Sequence, residues 1–329
     1  MTKLTCECGY TYELLSKSEK LKVKSQELEE IFSEGIFEGE VRFMEPMRNH
    51  TSLKIGGPAD VFAIPRNFLS LRNMHVNLKK SKIPCLPLGG GTNILVMDRG
   101  IEGAVISFRS FKKTDVLNEN GVDVYLFVEA GTPLQRLVNF SRESGYSGLE
   151  GLVGIPGTVG GAICGNAGAF GYEMKDVLIS VVIMDAEGRV EKIKAEKIDF
   201  GYRSSSISAS GMILSAEIKL KKDKKEDVSD RVDDFLNRKR QNQPLWEPSA
   251  GCVFKNPPGL YAGKLIDEAG CKGMRIGDVE VSTIHANFFI NKGGATASDF
   301  IRLMEKVSQR VKEKIGVLLE PEIKIVGRK

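Results

Sequence analysis

The chain has 329 residues, 41% hydrophobic and 27% charged, the profile of a soluble globular protein with room for two or three domains. Forty-seven basic against 43 acidic residues leave a net charge of +4, mildly suited to an anionic ligand but too weak and too well mixed for nucleic-acid binding. The apolar runs are strand-length, short of the roughly 20 residues of a membrane span, and 1–20 lacks the apolar core of a secretory signal, so the cytoplasm, without membrane insertion, is the expected location.

Residues 1–45 read as an N-terminal extension. Its expected element is an amphipathic helix over 20–32, marked by Leu21, Leu28 and Phe32. Cysteines lie at 6, 8, 85, 164, 252 and 271, and only the first two are close, as C-E-C. Structural zinc usually needs two close pairs, so free thiols and no metal are expected, with a metal at Cys6 and Cys8 as the alternative.

From His50 the pattern changes. Short β-branched runs at 61–64, 94–97 and 104–107 alternate with glycine turns and a helix over 69–81, which Pro65 and Pro84 bound. This is a βαβ-like unit. A second unit has a strand over 125–129, a turn over 130–133 and a helix over 133–144. Thr132 is its expected N-cap and Pro133 its first helical residue. Strands over 177–185, 189–193 and 213–220 predict an antiparallel sheet, and the basic run KLKKDKKED at 219–227 reads as a solvated strand end. A connecting helix over 229–242 follows, then an irregular glycine-rich segment, a strand over 286–290 and a long helix over 298–314. Ile301, Met304, Val307, Val311 and Ile315 form an apolar stripe on that last helix, which core packing explains.

Two glycine-rich segments carry the chemistry. Gly89-Gly90-Gly91-Thr92-Asn93 precedes a strand, where successive glycines can turn backbone N–H groups toward a phosphate or simply make a tight turn. It is neither a Walker loop nor a dinucleotide fingerprint. GLVGIPGTVGGAICGNAGAFG has eight glycines between 151 and 171, and close backbone approach to a large flat or phosphorylated ligand is the reason for giving up so many side chains. Together they point to a cofactor with a pyrophosphate and a large ring system.

The resemblance then becomes specific. Asn49-His50-Thr51-Ser52 with Gly56-Gly57 and Ala59-Asp60, then LGGGTNILV, GLEGLVGIPGTVGGAICGNAGAFG, GYRSSS, AGCVFKNP, AGKLIDEAGCKG, VSTIHANFFIN and LLEPEIKIVG occur in the order and spacing of the UDP-N-acetylenolpyruvylglucosamine reductase family. The chain resembles that family from about residue 47 to its end, in the shorter of its two types. The resemblance implies an α+β protein, with a two-part non-Rossmann, vanillyl-alcohol-oxidase-like FAD-binding fold and a C-terminal α+β substrate-binding domain. FAD-binding subdomains would span 46–108, joined by the C-terminal strand 323–329, and 109–228; the substrate domain would span 229–322. It further implies non-covalent FAD, NADPH as co-substrate and a small nucleotide-sugar substrate. Nothing in the sequence sets an oligomeric state.

The family's reaction adds hydride to an enol ether conjugated to a carboxylate, so it needs charge support and an acid. The resemblance assigns the carboxylate-binding fork to Arg203, for which a structural salt bridge is the bland alternative, and the catalytic acid to Glu322, with Glu320 in reserve. Cys252 departs from the family's serine proton donor, but a thiol is the stronger acid and can still donate. FAD falls to Gly89, Gly90, Gly91, Thr92, Asn93 and Ile94 and to Gly154, Ile155, Gly157, Thr158, Gly160, Gly161, Asn166 and Gly168. The nucleotide sugar falls to Tyr202, Arg238, Asn256, Lys272 and His285, of which Arg238 and Lys272 could equally be helix-surface charge. Another flavin oxidoreductase, such as an α-hydroxy-acid oxidase, and a non-catalytic flavin- or nucleotide-binding protein are the alternatives. The AGCVFKNP and HANFFIN segments count against the first, and the set Arg203, Cys252 and Glu322 against the second.

Overall fold

The computed structural model describes residues 3–5, 11–13, 28, 30–33 and 37–328. The expected helix over 20–32 therefore lies mostly outside the described residues, as do Leu21, Cys6 and Cys8; Leu28 and Ile31 are helical and buried. The chain divides into two compact units. The first comprises 61–89, 103–233 and the described part of 1–43; the second comprises 44–60, 90–102 and 234–329.

In the first unit, β-branched and apolar residues alternating with polar ones build an antiparallel sheet. Its order is Val190–Lys194, Leu178–Met184, Met212–Lys222, Asp123–Glu129 and Thr114–Asn120, with Tyr146–Ser147 also paired to Met212–Lys222. Val124, Leu126 and Val128 are fully buried, whereas their neighbours are half-buried, the period-two signature of one core-facing side. Asp123–Glu129 is thus a member of the antiparallel sheet and not the first strand of a parallel repeat. The unit also holds most of a four-stranded sheet in the order Gly39–Pro46, Pro58–Pro65, Ile101–Ser107 and Cys85–Leu88, the last two parallel. Gly39–Pro46, inside the stretch read as an extension, is its edge strand.

Helix α1 (Phe68–Lys80) starts where the Asn67 side chain accepts from Ser70 N at 2.9 Å and ends one residue before the expected limit. Its Arg72 Nε donates to the Gly188 carbonyl at 2.8 Å. Helix α2 (Leu134–Ser144) corrects an expectation: its N-cap is Pro133, not Thr132. Thr132 is fully buried and its hydroxyl donates to the Lys113 carbonyl, while its own carbonyl accepts from Val159 N at 2.9 Å. Pro133 bridges antiparallel to Thr158, so the chain stays extended to 133 and helical backbone begins one residue later. A short helix α3 (Val159–Cys164) lies within the second glycine-rich segment, and helix α4 (Lys225–Asn242) is the connecting helix, four residues longer than expected at its start.

In the second unit, Ile94–Val96 pairs in parallel with Lys324–Val326, and Arg275–Ile276, Val279–Val281 and Phe289–Asn291 form an antiparallel sheet. The strand expected at 286–290 is thus displaced to 289–291. Ser282 Oγ accepts from Ile284 N and His285 N, and Phe288 N donates back to the His285 carbonyl, which closes 282–288 as a turn. Helix α5 (Ala262–Glu268) and helix α6 (Ala297–Ile315) complete the unit. Thr296 caps α6 by accepting from Asp299 N at 3.0 Å, and Gly316 at φ 83 ends it. Phe300, Leu303, Met304, Val307 and Val311 bury one face, and Phe289 meets Phe254 at 6.0 Å and Phe300 at 5.5 Å between ring centroids. No helix among the described residues is long and apolar enough to cross a membrane.

Candidate active site

In the first unit the dense glycine segment is braced from below. Gln135, on α2, donates to the carbonyls of Leu152 (3.1 Å) and Ile155 (2.9 Å), and its Oε1 accepts from Gly154 N at 2.8 Å. Glu150, 1% exposed, accepts from Gly148 N at 2.7 Å and pairs with Arg231 at 2.9 Å. Burial alone would raise its pKa; the hydrogen bonds from Gly148, Ser147 and Arg231 outweigh that and hold the carboxyl below its ordinary range. Thr158 caps α3, its hydroxyl facing Gly161 N at 3.5 Å. A side-chain carbon at Gly89 would stand 2.3 Å from that hydroxyl, whereas one at exposed Gly161 would meet only the hydroxyl itself, at 3.7 Å. Gly89 and Gly161 therefore present backbone without bulk beside the Thr158 hydroxyl, a surface that a flat or phosphorylated group can approach closely. The residues present fit FAD.

Asn166 closes the same segment. It is 1% exposed and lies at φ 39. Its Nδ2 donates to Glu173 Oε2 (3.0 Å) and to the Gly201 carbonyl (3.3 Å), and its Oδ1 accepts from Lys175 N (3.1 Å). Gly201 pairs with Ser204 across a tight turn that carries Tyr202 and Arg203. Arg203 sits at φ 56, rare for a side chain of this size, and its guanidinium carbon is 5.2 Å from the Tyr202 ring centroid. Ser205 and Ser208 anchor the hairpin by donating to the Cys164 carbonyl at 3.0 and 3.3 Å. Arg203, Tyr202, Glu173, Lys175 and Asp176, with Gly168, Ala169, Gly171 and Tyr172, line a cleft of 320 Å³, within the range of small-molecule sites. The ion pair with Lys175 holds the Glu173 carboxyl below its ordinary range, and the Asn166 amide and the Arg203 charge add to it.

The second unit assembles the other candidates. Lys255 N donates to the Glu320 carbonyl and Glu322 N to the Val253 carbonyl, each at 2.8 Å, so the segment 253–255 runs beside 320–322. This pairing makes Cys252 and Glu322 near neighbours on adjacent chain segments. Asn287 holds the other side: its amide donates to the Phe254 carbonyl (2.8 Å) and accepts from Phe254 N (2.9 Å), and Cys252 bridges antiparallel to Phe288. The first glycine loop is tied to the same strand. Asn93 Nδ2 donates to the Glu322 carbonyl at 3.3 Å, and Lys324 N to the Asn93 carbonyl at 3.1 Å. Gly91, at φ 62, has its carbonyl bound by Ser52 N at 3.0 Å, and a side chain there would collide with the His50 carbonyl oxygen 2.0 Å away. The N-H-T-S motif and the glycine loop are thus two halves of one turn structure. Glu320, the reserve acid, is 69% exposed and its carboxylate pairs with Lys255 at 2.5 Å.

Of the substrate candidates in this unit, Asn256 and His285 gather near α5. Asn256 Oδ1 accepts from Ala262 N at 2.9 Å, and a carbon added to Gly263 would lie 3.0 Å from the His285 ring. Burial, with the nearby Lys272 charge, pushes the His285 imidazole below its ordinary value and keeps it neutral. Lys272 itself pairs with Asp267 at 2.7 Å. Arg238 stands apart in its contacts: Asp234, at 2.8 Å, and the Phe235 ring are both on its own helix. No group of three or more His, Cys, Asp or Glu among the described residues is placed to hold a metal ion.

Three supporting residues escape sequence reasoning. Asn287 leaves one trace, a polar residue inside the apolar run A-N-F-F-I, which buried at 1% exposure must find partners. Gln135 sits beside the apolar stripe of α2 and gives no local sign of its task. Glu150 reads as an ordinary loop acid until Arg231, 81 residues on, is brought to it.

Residues 59–194 match the FAD binding domain family, and residues 243–326 match the C-terminal domain of UDP-N-acetylenolpyruvoylglucosamine reductase. The first match encloses both glycine-rich segments. A UDP-N-acetylenolpyruvoylglucosamine reductase of Caldanaerobacter subterraneus subsp. tengcongensis is 42% identical over 293 residues, 89% of this chain and 95% of the relative. Another, of Geotalea uraniireducens, is 41% identical over 289 residues, 88% of this chain and 95% of the relative. The crystal structure of UDP-N-acetylenolpyruvylglucosamine reductase from Thermus caldophilus is similar with a TM-score of 0.74 at 36% identity, covering 88% of this chain and 99% of that one.

Proposed function

The chain belongs to the UDP-N-acetylenolpyruvoylglucosamine reductase family and is an FAD-dependent oxidoreductase; from that premise we propose that it reduces the enolpyruvyl ether of UDP-N-acetylglucosamine to the lactyl ether, UDP-N-acetylmuramate, a cytoplasmic step of peptidoglycan precursor synthesis. When bound, FAD supplies the hydride and is recharged by NADPH. Residues 46–108 with 323–329, and 109–228, hold the flavin, through the loops at 89–94 and 154–168, and 229–322 holds the nucleotide sugar.

This chain's own groups supply the rest. The Arg203 guanidinium offers a planar, permanently charged fork to the substrate carboxylate, where negative charge grows as hydride reaches the β-carbon. The Cys252 thiol gives its proton to the α-carbon, and Glu322 supports the enolic intermediate. Tyr202, Arg238, Asn256, Lys272 and His285 bind and orient the nucleotide sugar, with cations and hydrogen-bond donors for its diphosphate. The observation that carries the reading is the pairing of 253–255 with 320–322, which supports a joint role for Cys252 and Glu322.

Reduction of the FAD-loaded protein by NADPH, then reoxidation by UDP-N-acetylglucosamine enolpyruvate in a stopped flow, tests it. Cys252→Ser is expected to retain appreciable turnover, since a hydroxyl can donate from the same position. Cys252→Ala is expected to stall after hydride transfer, with reduction by NADPH little changed. An alanine variant as active as the native protein across the pH range would refute the proton-donor role, because a merely buried apolar cysteine tolerates alanine.

A further inference from the structure

We infer that Asn166 and Glu173 are positioning residues for Arg203, and that the Asn166 side chain is not a ligand of the cofactor. The inference rests on the reading of Arg203 as the group that takes the substrate carboxylate. A carboxamide has two N–H donors. Both donors of Asn166 are occupied, by Glu173 Oε2 at 3.0 Å and the Gly201 carbonyl at 3.3 Å, and its oxygen accepts from Lys175 N at 3.1 Å. The opposite amide orientation would set oxygen against the Glu173 carboxylate and the Gly201 carbonyl, and nitrogen against an N–H, so the assignment is forced by its partners. No side-chain proton of Asn166 remains for a phosphate or a flavin ring.

What the amide holds is the base of the Arg203 turn. Gly201 pairs with Ser204, and the two residues between them are Tyr202 and Arg203. Arg203 sits at φ 56, a left-handed conformation that is strained for a side chain of this kind and persists only where its surroundings impose it. The Asn166 bond to the Gly201 carbonyl is one such restraint. Glu173 fixes the amide in turn, and the Arg203 charge adds to the Lys175 ion pair that holds its carboxyl below the ordinary range. Since misplacing a charge-stabilising group by about 1 Å can cost on the order of a hundredfold in rate, this brace should register in the step that uses Arg203 and not in cofactor capture.

Asn166→Asp keeps the shape but sets a carboxylate where the two donors were. Titration of the apoprotein with FAD, followed by flavin fluorescence, is expected to give native stoichiometry and an affinity within about threefold, as is reduction by NADPH, while reoxidation by the enolpyruvyl substrate slows about tenfold or more. Combining it with Arg203→Ala is expected to add less than about threefold to the effect of Arg203→Ala alone, because two residues acting through one group are not additive. Should Asn166→Asp fail to fold, half-exposed Glu173 decides: Glu173→Gln keeps an acceptor for Asn166 and stays within about threefold, whereas Glu173→Ala loses about tenfold in reoxidation. Weakened FAD binding with normal reoxidation at saturating FAD, or multiplicative effects in the double variant, would overturn the inference. Slow Arg203→Ala beside normal Asn166→Asp and Glu173→Ala sinks the positioning role alone; normal reoxidation in Arg203→Ala sinks the reading of Arg203 on which it rests.

Discussion

Burial pushes the Cys85 thiol up to about 12, so near neutral pH only a minute fraction of molecules carries a thiolate there. Burial also raises Cys271, which is fully buried; Cys85 and Cys252 are both half-buried, Cys252 at the bridge to Phe288. Alkylation of the native protein, mapped by peptide mass spectrometry, should therefore label Cys252 while sparing Cys85, and the enolpyruvyl substrate should slow the reaction at Cys252. Labelling of Cys85 ahead of Cys252 in folded protein would contradict this. The two acids of the Glu-Pro-Glu motif separate in the same manner. Glu320 is exposed and spends its carboxylate on Lys255, a surface pair worth at most about 1 kcal/mol, whereas Glu322 lies half-buried beside Cys252. Glu322→Gln should slow flavin reoxidation by roughly a hundredfold, the scale of a lost transition-state contact, and Glu320→Gln by less than about threefold. Equal losses would mean that the motif, not the position, had been read correctly.

The elements that were legible from sequence are those whose signals are local. Pro65 and Pro84 bracket α1, and the helical spacing of Met304, Val307 and Val311 reports the buried face of α6. Where a distant segment sets the backbone, local signals mislead. Thr132 has the chemistry of an N-cap, but the bridge from Pro133 to Thr158 keeps it extended. The strand Thr114–Asn120 is mostly exposed and polar, so it leaves no apolar alternation to read. Glycines show the same division between local and distant causes. Gly171, at φ 82, has nothing within 4 Å of where a side chain would start, whereas Gly91 faces a carbonyl oxygen at 2.0 Å. Gly171→Ala should cost only the left-handed strain, about 1–2 kcal/mol. Gly91→Ala must move the His50 turn as well, and is expected to weaken FAD binding by more than about tenfold, measured by titration of the apoprotein. Comparable affinity in the two variants would show that the 90–93 loop does not shape the cofactor site.

At the scale of the molecule, the candidate residues were legible because they sit in short motifs, while their grouping was not. The second unit gathers 44–60, 90–102 and 234–329, and Ile94–Val96 finds its partner strand at Lys324–Val326, more than two hundred residues away. Only the folded chain shows that Asn93 and Glu322 share a hydrogen bond. Folding also lowers the pKa of two of the three imidazoles, and this gives the whole protein a pH dependence. His75, whose Nε2 lies 3.1 Å from the Asp185 carbonyl, and His285 are both pushed below the ordinary value of 6.5, in each case chiefly by burial. A depressed folded value means that the unfolded chain binds protons first. The stability that these residues contribute is complete above pH 6.5 and is lost as pH falls through their folded values. Carboxyls held below their ordinary 4.5, such as Glu150 and Glu173, keep their stabilising charge until lower pH. Between these limits the acid loss belongs mainly to the histidines. Replacing both by glutamine, which cannot titrate, should flatten the decline in unfolding midpoint between about pH 6.5 and pH 5 even if the variant starts from a lower plateau. A decline as steep as that of the native protein would place the acid sensitivity elsewhere.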